Sequence, residues 1–230
     1  MNQALRAVLF DVDGTLADTN YLHAVCWWEA FSQSDFDVPM VRIHRAIGMG
    51  SDQMLDALLP EDRDRDEDGS IRAAHSALYA TYWTRERPLP GAVDLLRECQ
   101  RQGWRVVLAS SADEREFEAL RTALDADDAI DDATSSADVE QSKPAPDLVQ
   151  VALKKAQVKP DAAVFVGDTV WDVKAAGKAG VVCVGLLSGG IGRDELAGAG
   201  AAAIYDGPAE LLAALRGGLP DRVLGRESTD

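Results

Sequence analysis

From residue 91 onward, short apolar runs alternate with longer stretches in which apolar residues recur at helical spacing. The runs are too short for helices and are bounded by turn-forming residues, so they predict buried strands. The predicted strands cover residues 105–109, 130–134, 162–166, 181–185 and 202–205. The predicted helices cover residues 92–102, 113–124, 146–157, 173–179 and 208–215. This alternation predicts an α/β fold, with a parallel sheet and helices on both of its faces.

The first apolar run, at residues 7–10, predicts a further strand of the same sheet. After a polar turn the pattern becomes helical and stays so to Pro88, with helices predicted to begin near residues 20, 39, 51 and 70, the last covering 70–87. This block is therefore predicted to be an all-helical cap inserted above the strand ends. The predicted domains are a core of residues 1–18 and 89–230 and a cap of residues 19–88. Residues 217–230 are predicted to form a mobile tail.

Composition narrows the range of functions. The 230 residues are 47% hydrophobic, enough for a buried core, and carry a formal net charge of −16. That charge argues against nucleic acid or an anionic membrane surface as a partner. No apolar run approaches a membrane span, and the N-terminus lacks a signal-peptide pattern. We therefore expect a cytoplasmic protein, a monomer or weak homodimer, without nucleic-acid or membrane partners.

Two features of the sequence are predicted to be structural. The acidic run that begins at Glu61, EDRDRDEDG, lacks the glycine and the spaced ligands of a calcium loop and is predicted to be a solvated loop. The cysteines Cys26, Cys99 and Cys183 lie in apolar segments and are predicted to be buried thiols rather than disulfides or metal ligands.

The first candidate catalytic residues directly follow the first predicted strand. They are Asp11, Asp13, Gly14 and Thr15. Alternation along an extended chain places the two carboxylates on the same side, where each raises the pKa of the other unless a cation lies between them. Gly14 permits a tight turn, and Thr15 brings a hydroxyl and an amide towards the same pocket. In α/β folds the carboxyl edge of the sheet is where ligands bind.

Three further motifs follow strands or precede helices in the same way. They are Ser110-Ser111, Lys143 within SKPAPD, and Gly167-Asp168 with Asp172 four residues on. Taken singly, each has an ordinary interpretation: a helix cap, a solvated charge and an acidic turn. Taken in order, they bring hydroxyls, a cation and more carboxylates to the sheet edge that holds the first motif.

The four motifs DVDGTLADT, SS, KPAP and GDTVWD resemble those of the haloacid dehalogenase-like (HAD) hydrolase superfamily. The inserted helices resemble the cap of its phosphoglycolate phosphatase and β-phosphoglucomutase-like branch. The resemblance implies a Rossmann-like sheet with a helical cap and a Mg²⁺-dependent phosphatase acting on a small phosphorylated metabolite through an aspartyl-phosphate intermediate. The acid at position 13 favours phosphoryl transfer, because the dehalogenases of this superfamily lack it.

The resemblance also implies roles for single residues. Asp11 is expected to be the nucleophile, and Asp13 the general acid and base. Asp11, Asp168 and the backbone carbonyl of Asp13 are expected to hold Mg²⁺, with Asp172 supporting it from behind.

The phosphoryl group is expected to be bound by a second set of groups. Lys143 is expected to hold the charges of the nucleophile and the phosphate together, and Ser110 and Ser111 to bind phosphoryl oxygens. Gly14 and Thr15 are expected to contribute to the same pocket.

The cap is expected to decide which substrate is taken. His23 lies ten residues beyond Asp13, where the mutases of this branch carry a hinge histidine, whereas residues 47–52 lack the basic groups with which the mutase grips a second phosphate. A phosphatase is therefore favoured, with a phosphosugar mutase and a non-catalytic phosphate-binding protein as alternatives. Arg45, Ser51, Asp52 and Gln53 are expected either to contact substrate from the cap or to face solvent, and His44 and His75 to be surface or packing residues. The cap is expected to move as a lid.

Overall fold

The architecture is that of an α/β protein in a computed structural model that describes residues 5–218. Within these residues the sheet has six strands, all parallel, in the order β3-β2-β1-β4-β5-β6. The strands are β1 Arg6–Phe10, β2 Trp104–Ala109, β3 Asp132–Thr134, β4 Ala163–Gly167, β5 Val182–Leu186 and β6 Ala203–Tyr205. The predicted tail, 217–230, lies outside the described residues except for its first two.

The strand order reverses beside β1, which places β2 on one side of it and β4 on the other. Phe10 of β1 is in register with Leu108 of β2 and Val166 of β4, so the three strands end at nearly the same level. The residues that follow them therefore meet at one point of the carboxyl edge. Such a reversal point is where open α/β sheets bind ligands.

Ten α-helices are present within the described part of the chain. They are α1 Asn20–Gln33, α2 Met40–Ala46, α3 Ser51–Leu58, α4 Asp68–Ala80, α5 Ala92–Arg101, α6 Glu114–Leu124, α7 Asp147–Ala156, α8 Val170–Lys178, α9 Arg193–Ala199 and α10 Pro208–Arg216. Val8 and Phe10 of β1 belong to the apolar core that includes α5, α6 and α10, and Leu9 to the one that includes α7, α8 and α9. The side chains of β1 thus alternate between two covered faces, as a buried parallel strand requires.

Helices α1 to α4 surround an apolar core of their own, which includes Trp27, Phe31, Ile43, Leu55 and Ile71. This helical insertion supplies the cap of the predicted fold. The exact division at residues 19 and 88 stays a prediction.

Two local predictions need correction, and one helix was not predicted. The solvated loop predicted after Glu61 contains Arg63, whose side chain is 1% exposed and whose guanidinium pairs with Asp56 at 2.6 Å and Asp68 at 2.8 Å. The helix predicted over 70–87 begins at Asp68 and ends at Ala80, and a separate 3₁₀ turn follows it. Helix α9 has no sequence prediction, because Leu196 is its only buried residue and shows no periodicity.

The three cysteines are free and buried, as predicted. Within residues 5–218, no helix combines the length and the apolar character that crossing a membrane requires.

Candidate active site

Asp11, Asp168 and Asp172 converge where β1 and β4 end. Asp11 follows β1, and its amide donates to the carbonyl of Val166 in β4 at 2.9 Å. Asp168 follows β4, and Asp172 lies in the first turn of α8. One carboxylate oxygen from each aspartate lies within 4.8 Å of the others, and all three residues are buried. We call these three residues the acidic cluster.

Lys143 lies against the acidic cluster. Its Nζ donates to Oδ1 of Asp11 at 2.6 Å and to Oδ1 of Asp172 at 2.8 Å, and its side chain is 1% exposed. Burial alone would lower the pKa of Lys143, but the charges of Asp11 and Asp172 raise it above its usual value. The lysine is therefore a cation held between two carboxylates, one of which is the expected nucleophile.

One ammonium does not balance three buried carboxylates. Burial, followed by the charge of Asp172, raises the pKa of Asp168 to about 7. Burial also raises the pKa of Asp11 well above its usual value, although Lys143 opposes the shift. A further cation would relieve this excess of charge. Because the donors are carboxylate oxygens close to one another, they fit a hard divalent ion such as Mg²⁺.

Two residues orient Asp168. Its Oδ1 accepts a hydrogen bond from the hydroxyl of Thr15 at 2.8 Å, and its Oδ2 accepts one from Nδ2 of Asn20 at 2.7 Å. The side chain of Thr15, predicted to bind phosphate, thus braces an acid instead. Gly14 has φ of 71°, and a Cβ there would lie 2.3 Å from Nδ2 of Asn20. This glycine is needed for the close approach of the turn to Asp168 and Asn20.

Both carboxylate oxygens of Asp172 accept hydrogen bonds. Its Oδ2 accepts from the amide of Thr169 at 3.0 Å and from the Thr169 hydroxyl at 2.6 Å, while Oδ1 accepts from Lys143. This capping box begins α8 three residues earlier than predicted. The arrangement agrees with a supporting role for Asp172 behind the other carboxylates.

Asp13 faces a different set of partners. Its Oδ1 accepts a hydrogen bond from the hydroxyl of Thr19 at 2.6 Å and lies 3.3 Å from Nε2 of His23. Despite burial, hydrogen bonds from His23 and Thr19 lower the pKa of Asp13. Despite burial, the hydrogen bond to Asp13 and the charge of Glu116 raise the pKa of His23. The two groups thus form a hydrogen-bonded pair between helix α1 and the loop after β1.

A family model described as a haloacid dehalogenase-like hydrolase matches residues 5–180. The chain belongs to this family. The predicted family, and with it the Rossmann-like fold with a helical cap, is confirmed.

Several relatives of this HAD hydrolase align along most of its length. Protein CbbY of Cereibacter sphaeroides is 32% identical over 218 residues, which cover 90% of this chain and 94% of that protein. The phosphoglycolate phosphatase of Rhodospirillum rubrum is 29% identical over 216 residues, covering 90% and 89%. SUPPRESSOR OF QUENCHING 1 of Arabidopsis thaliana, a chloroplastic protein, is 31% identical over 183 residues; these are 77% of this chain but only 17% of that longer protein.

Solved structures resemble the HAD hydrolase over the same extent. A hydrolase from Pseudomonas syringae has a TM-score of 0.88 and 34% identity, and the match covers 92% of this chain and 98% of that one. A variant of CbbY from Rhodobacter sphaeroides, solved with xylulose-(1,5)bisphosphate, has a TM-score of 0.72 and 27% identity, covering 90% and 96%.

A cavity of about 470 Å³ lies between the helical insertion and the sheet edge of the HAD hydrolase. The lining residues from the loop after β1, from α6 with the segment before it, and from the Lys143 loop are called the core wall. Those from α1, α3, α4 and the loop before α3 are called the cap wall. The core wall includes Asp11, Asp13, Ser111 and Lys143. Ser110 is fully buried and is not among the lining residues described, and its Oγ accepts from the amide of Ala112 at 3.1 Å. The structure thus places Ser111, rather than Ser110, on the cavity surface.

Hydrogen bonds join the cap to the core beside Lys143. Asp52 Oδ1 accepts from the hydroxyl of Ser142 at 2.9 Å, and Gln53 Nε2 donates to the Ser142 carbonyl at 3.0 Å. Both residues thus tie the cap to the loop that carries Lys143. Asp52 also lines the cavity, so its contact with substrate stays a prediction. Ser51 does line the cavity.

Arg45 does not line the cavity. Its guanidinium pairs with Glu195 of α9 at 2.7 Å on the outside of the molecule, which agrees with the solvent-facing alternative of the sequence prediction. His44 lies nearby, with Nε2 2.9 Å from the carbonyl oxygen of Gly189. His75, predicted to be a packing residue, is buried and stacks on Trp27 with ring centroids 4.1 Å apart.

Sequence reasoning missed three residues of the site. Asn20 orients Asp168, but an asparagine at a helix start is ordinarily a cap. Arg72 lines the cap wall and forms no ion pair with any described residue; nothing in the sequence distinguishes it from a solvated charge. Glu116 lines the core wall beside His23, and burial raises its pKa to about 8. Its place in the first turn of α6 is typical of a helix-start acid.

Proposed function

We propose that this HAD hydrolase is a Mg²⁺-dependent phosphatase that hydrolyses a small phosphorylated metabolite through an aspartyl-phosphate on Asp11. The observation that carries the proposal is the placement of two acids with opposite environments on one cavity. Asp11 lies against Lys143, whereas Asp13 lies against Thr19 and His23. The phosphoglycolate phosphatase of R. rubrum, which aligns along 90% of the chain, supports the same class of reaction.

Asp11 would act as the nucleophile. Lys143 holds its Oδ1, which leaves Oδ2 to attack phosphorus as the bond from phosphorus to the leaving oxygen breaks. The ammonium also offsets the repulsion between an anionic nucleophile and a phosphate dianion.

Asp13 would move the proton. In its protonated form Asp13 gives its proton to the leaving oxygen in the first step. The resulting carboxylate then takes a proton from the water that cleaves the aspartyl-phosphate in the second step. The products are the alcohol, inorganic phosphate and the regenerated Asp11 carboxylate. Thr19 donates to Oδ1 of Asp13 and His23 contacts the same oxygen, which leaves Oδ2 of this cavity-lining residue free to carry the proton.

We propose that Asp11, Asp168 and the Asp13 carbonyl hold Mg²⁺, with Asp172 behind them. The support is the unbalanced charge of the acidic cluster, together with its oxygen-only donors. Bound there, the ion would neutralise part of the charge on the phosphoryl oxygens. Ser111, at the cavity surface, is the better placed of the two serines to bind the phosphoryl group.

We infer that residues 19–88 act as a lid that closes over the aspartyl-phosphate and keeps stray water away. The hydrogen bonds from Asp52 and Gln53 to Ser142 support a closed arrangement. The predictions of a cytoplasmic location and of a monomer or weak homodimer stay predictions.

The test is phosphate release from para-nitrophenyl phosphate, then from a panel of phosphorylated glycolate, sugars and nucleotides. Turnover with Mg²⁺ that stops in excess EDTA is expected. Full activity in EDTA would remove the metal from the mechanism. A protein that binds phosphate and releases none from any substrate would be the non-catalytic alternative.

A phosphosugar mutase is the second candidate, favoured by the contact between His23 and Asp13. Arg72 is the one arginine or lysine among the described residues of the cap wall, which gives the mutase limited support, because a mutase must hold a second phosphate. Incubation with a sugar 1-phosphate separates the two functions. A phosphatase releases inorganic phosphate, whereas a mutase, primed with a sugar bisphosphate, accumulates the 6-phosphate.

A further inference from the structure

Glu116 is a buried carboxylate without a partner of its own. It lies in the first turn of α6, is 9% exposed and accepts no hydrogen bond from any described residue. Its nearest cationic group is the imidazole of His23, with Nε2 3.6 Å from Oε1. A buried carboxylate is costly unless a cation and hydrogen bonds compensate it. In its ionised form Glu116 therefore needs a cation at this point.

The imidazole of His23 cannot fully serve this purpose. The same Nε2 is 3.3 Å from Oδ1 of Asp13, so two carboxylates share one ring nitrogen. With His23 protonated and both acids ionised, the group keeps a net negative charge. A divalent cation would compensate both carboxylates at once.

The donor atoms have the separations of a metal site. Nε2 of His23 lies 3.3 Å from Asp13 and 3.6 Å from Glu116, and the three donors lie within 4.8 Å of one another. In a tetrahedral zinc site, ligands at about 2.1 Å from the metal lie about 3.4 Å apart. All three residues line the cavity, so a water molecule can supply a fourth ligand.

The His23 ring is already oriented for such a role. Its other nitrogen, Nδ1, lies 3.2 Å from Nε2 of His75, and the ring stacks on Tyr79 with centroids 3.9 Å apart. Histidine ligands in metal sites ordinarily have a partner on the second nitrogen that fixes the ring. His75 and Tyr79 supply this support from α4.

We propose that Asp13, His23 and Glu116 form a second metal site that binds a transition cation such as Zn²⁺ and that its occupation inhibits the enzyme. The imidazole donor favours Zn²⁺ over Mg²⁺, which prefers oxygen donors. A carboxylate of Asp13 bound to metal cannot carry the proton of the reaction. The ion also ties α1 of the cap to Asp13 and Glu116 of the core. The binding is independent of the proposed function, whereas the inhibition rests on it.

The binding experiment titrates the full chain with Zn²⁺ by calorimetry in saturating Mg²⁺, which occupies the acidic cluster. One Zn²⁺ per chain is expected, with affinity at least tenfold weaker in Glu116→Gln and in His23→Gln. Glu118→Gln is the matched control, since Glu118 lies on the same helix with its side chain 73% exposed. Co²⁺ in place of Zn²⁺ should give the visible absorption of a four-coordinate site, lost in the same two variants.

If Glu116→Gln does not fold, as judged by circular dichroism, Glu116→Asp replaces it. This variant should also weaken Zn²⁺ binding, because the aspartate side chain is shorter by one methylene group. Zn²⁺ should slow phosphate release, expressed for each variant relative to its own rate without Zn²⁺, and Glu116→Gln should relieve this inhibition.

Two outcomes overturn the proposal. One is no Zn²⁺ binding in saturating Mg²⁺. The other is Zn²⁺ binding that Glu116→Gln leaves intact and Asp168→Asn abolishes, which would place the ion in the acidic cluster. Zn²⁺ binding as expected in a protein without phosphatase activity would uphold the metal site and reject the proposed function instead.

Discussion

The core wall and the cap wall of the cavity differ in how tightly their charged side chains are held. In the core wall, Asp11 and Lys143 are nearly inaccessible, and Lys143 donates to Asp11 at 2.6 Å and to Asp172 at 2.8 Å. In the cap wall, Arg72 has no ion-pair partner among the described residues, and Asp52 is held by a single hydrogen bond from Ser142. The core wall thus has a fixed geometry suited to chemistry, whereas the cap wall offers groups that a substrate can engage.

The largest effect is expected for the nucleophile. Asp11→Asn keeps the shape of the side chain and removes its charge, so turnover of para-nitrophenyl phosphate should fall by at least about 10³-fold. Asp94→Asn, an exposed change on α5, should have no effect. A rate for Asp11→Asn close to that of the unchanged protein would show that the core wall does not supply the nucleophile.

Lys143→Met should be nearly as severe. It leaves Asp11 and Asp172 buried without their cation, so activity should fall at least about 10²-fold and stability by several kcal/mol. Thermal unfolding measures the stability loss, and Mg²⁺ should recover part of it by binding the folded state. The exposed Lys178→Met on α8 is the control. An unchanged melting temperature in EDTA would mean that the lysine does not compensate the acidic cluster.

The acidic cluster also predicts how stability depends on pH without metal. The pKa of Asp168 is raised to about 7, so between about pH 4 and pH 7 the folded state binds more protons than the unfolded state. Stability in EDTA should therefore fall as the pH rises through this window. Mg²⁺ should flatten the curve, and Asp168→Asn should do so without Mg²⁺. Melting temperatures in EDTA that rise across this window would contradict the cation requirement.

Arg72→Met tests the cap wall. A substrate with a second anionic group should lose about 10-fold or more in kcat/KM, since a charge-assisted hydrogen bond contributes about 1.5–3 kcal/mol. Para-nitrophenyl phosphate, which has no such group, should change by less than about 2-fold. Arg42→Met, exposed on α2, serves as the cap control. Equal losses on both substrates would place Arg72 in the general architecture of the cap.

The smallest effect is expected for Ser142→Ala. It removes the hydroxyl that donates to Asp52, a partly exposed contact that contributes about 1 kcal/mol. If this contact serves only to join the two walls, kcat/KM should fall a few-fold and equally on both substrate types. Ser70→Ala, exposed on α4, is the control. A change of substrate preference would instead indicate that Asp52 contacts substrate, as the sequence suggests.

The core wall could be predicted because its signals are local. An apolar run followed by an acid identifies Asp11 and Asp168, and parallel register then brings the strand ends together. Lys143 follows from its motif and the charge it must balance. These inferences need only the strand pattern and the resemblance of four short motifs.

The remaining contacts could not be predicted, because they join residues far apart in the chain. Asn20 meets Asp168 across 148 positions and Asp52 meets Ser142 across 90, and no periodicity encodes such pairings. The burial of Arg63 could not be predicted for a similar reason, since an arginine in an acidic run is ordinarily solvated. Its burial depends on how the run folds back onto α3 and α4.

The two segments that join the helical insertion to the sheet lie side by side. The amide of Asp18 donates to the carbonyl of Arg87 at 3.1 Å, and the amide of Leu89 donates to the carbonyl of Leu16 at 2.8 Å. The insertion therefore leaves and re-enters the sheet at almost the same place, so a short turn could close the gap if it were removed. Whole caps could then be exchanged between related sheets at this junction, giving new substrate preferences while the catalytic edge keeps its geometry.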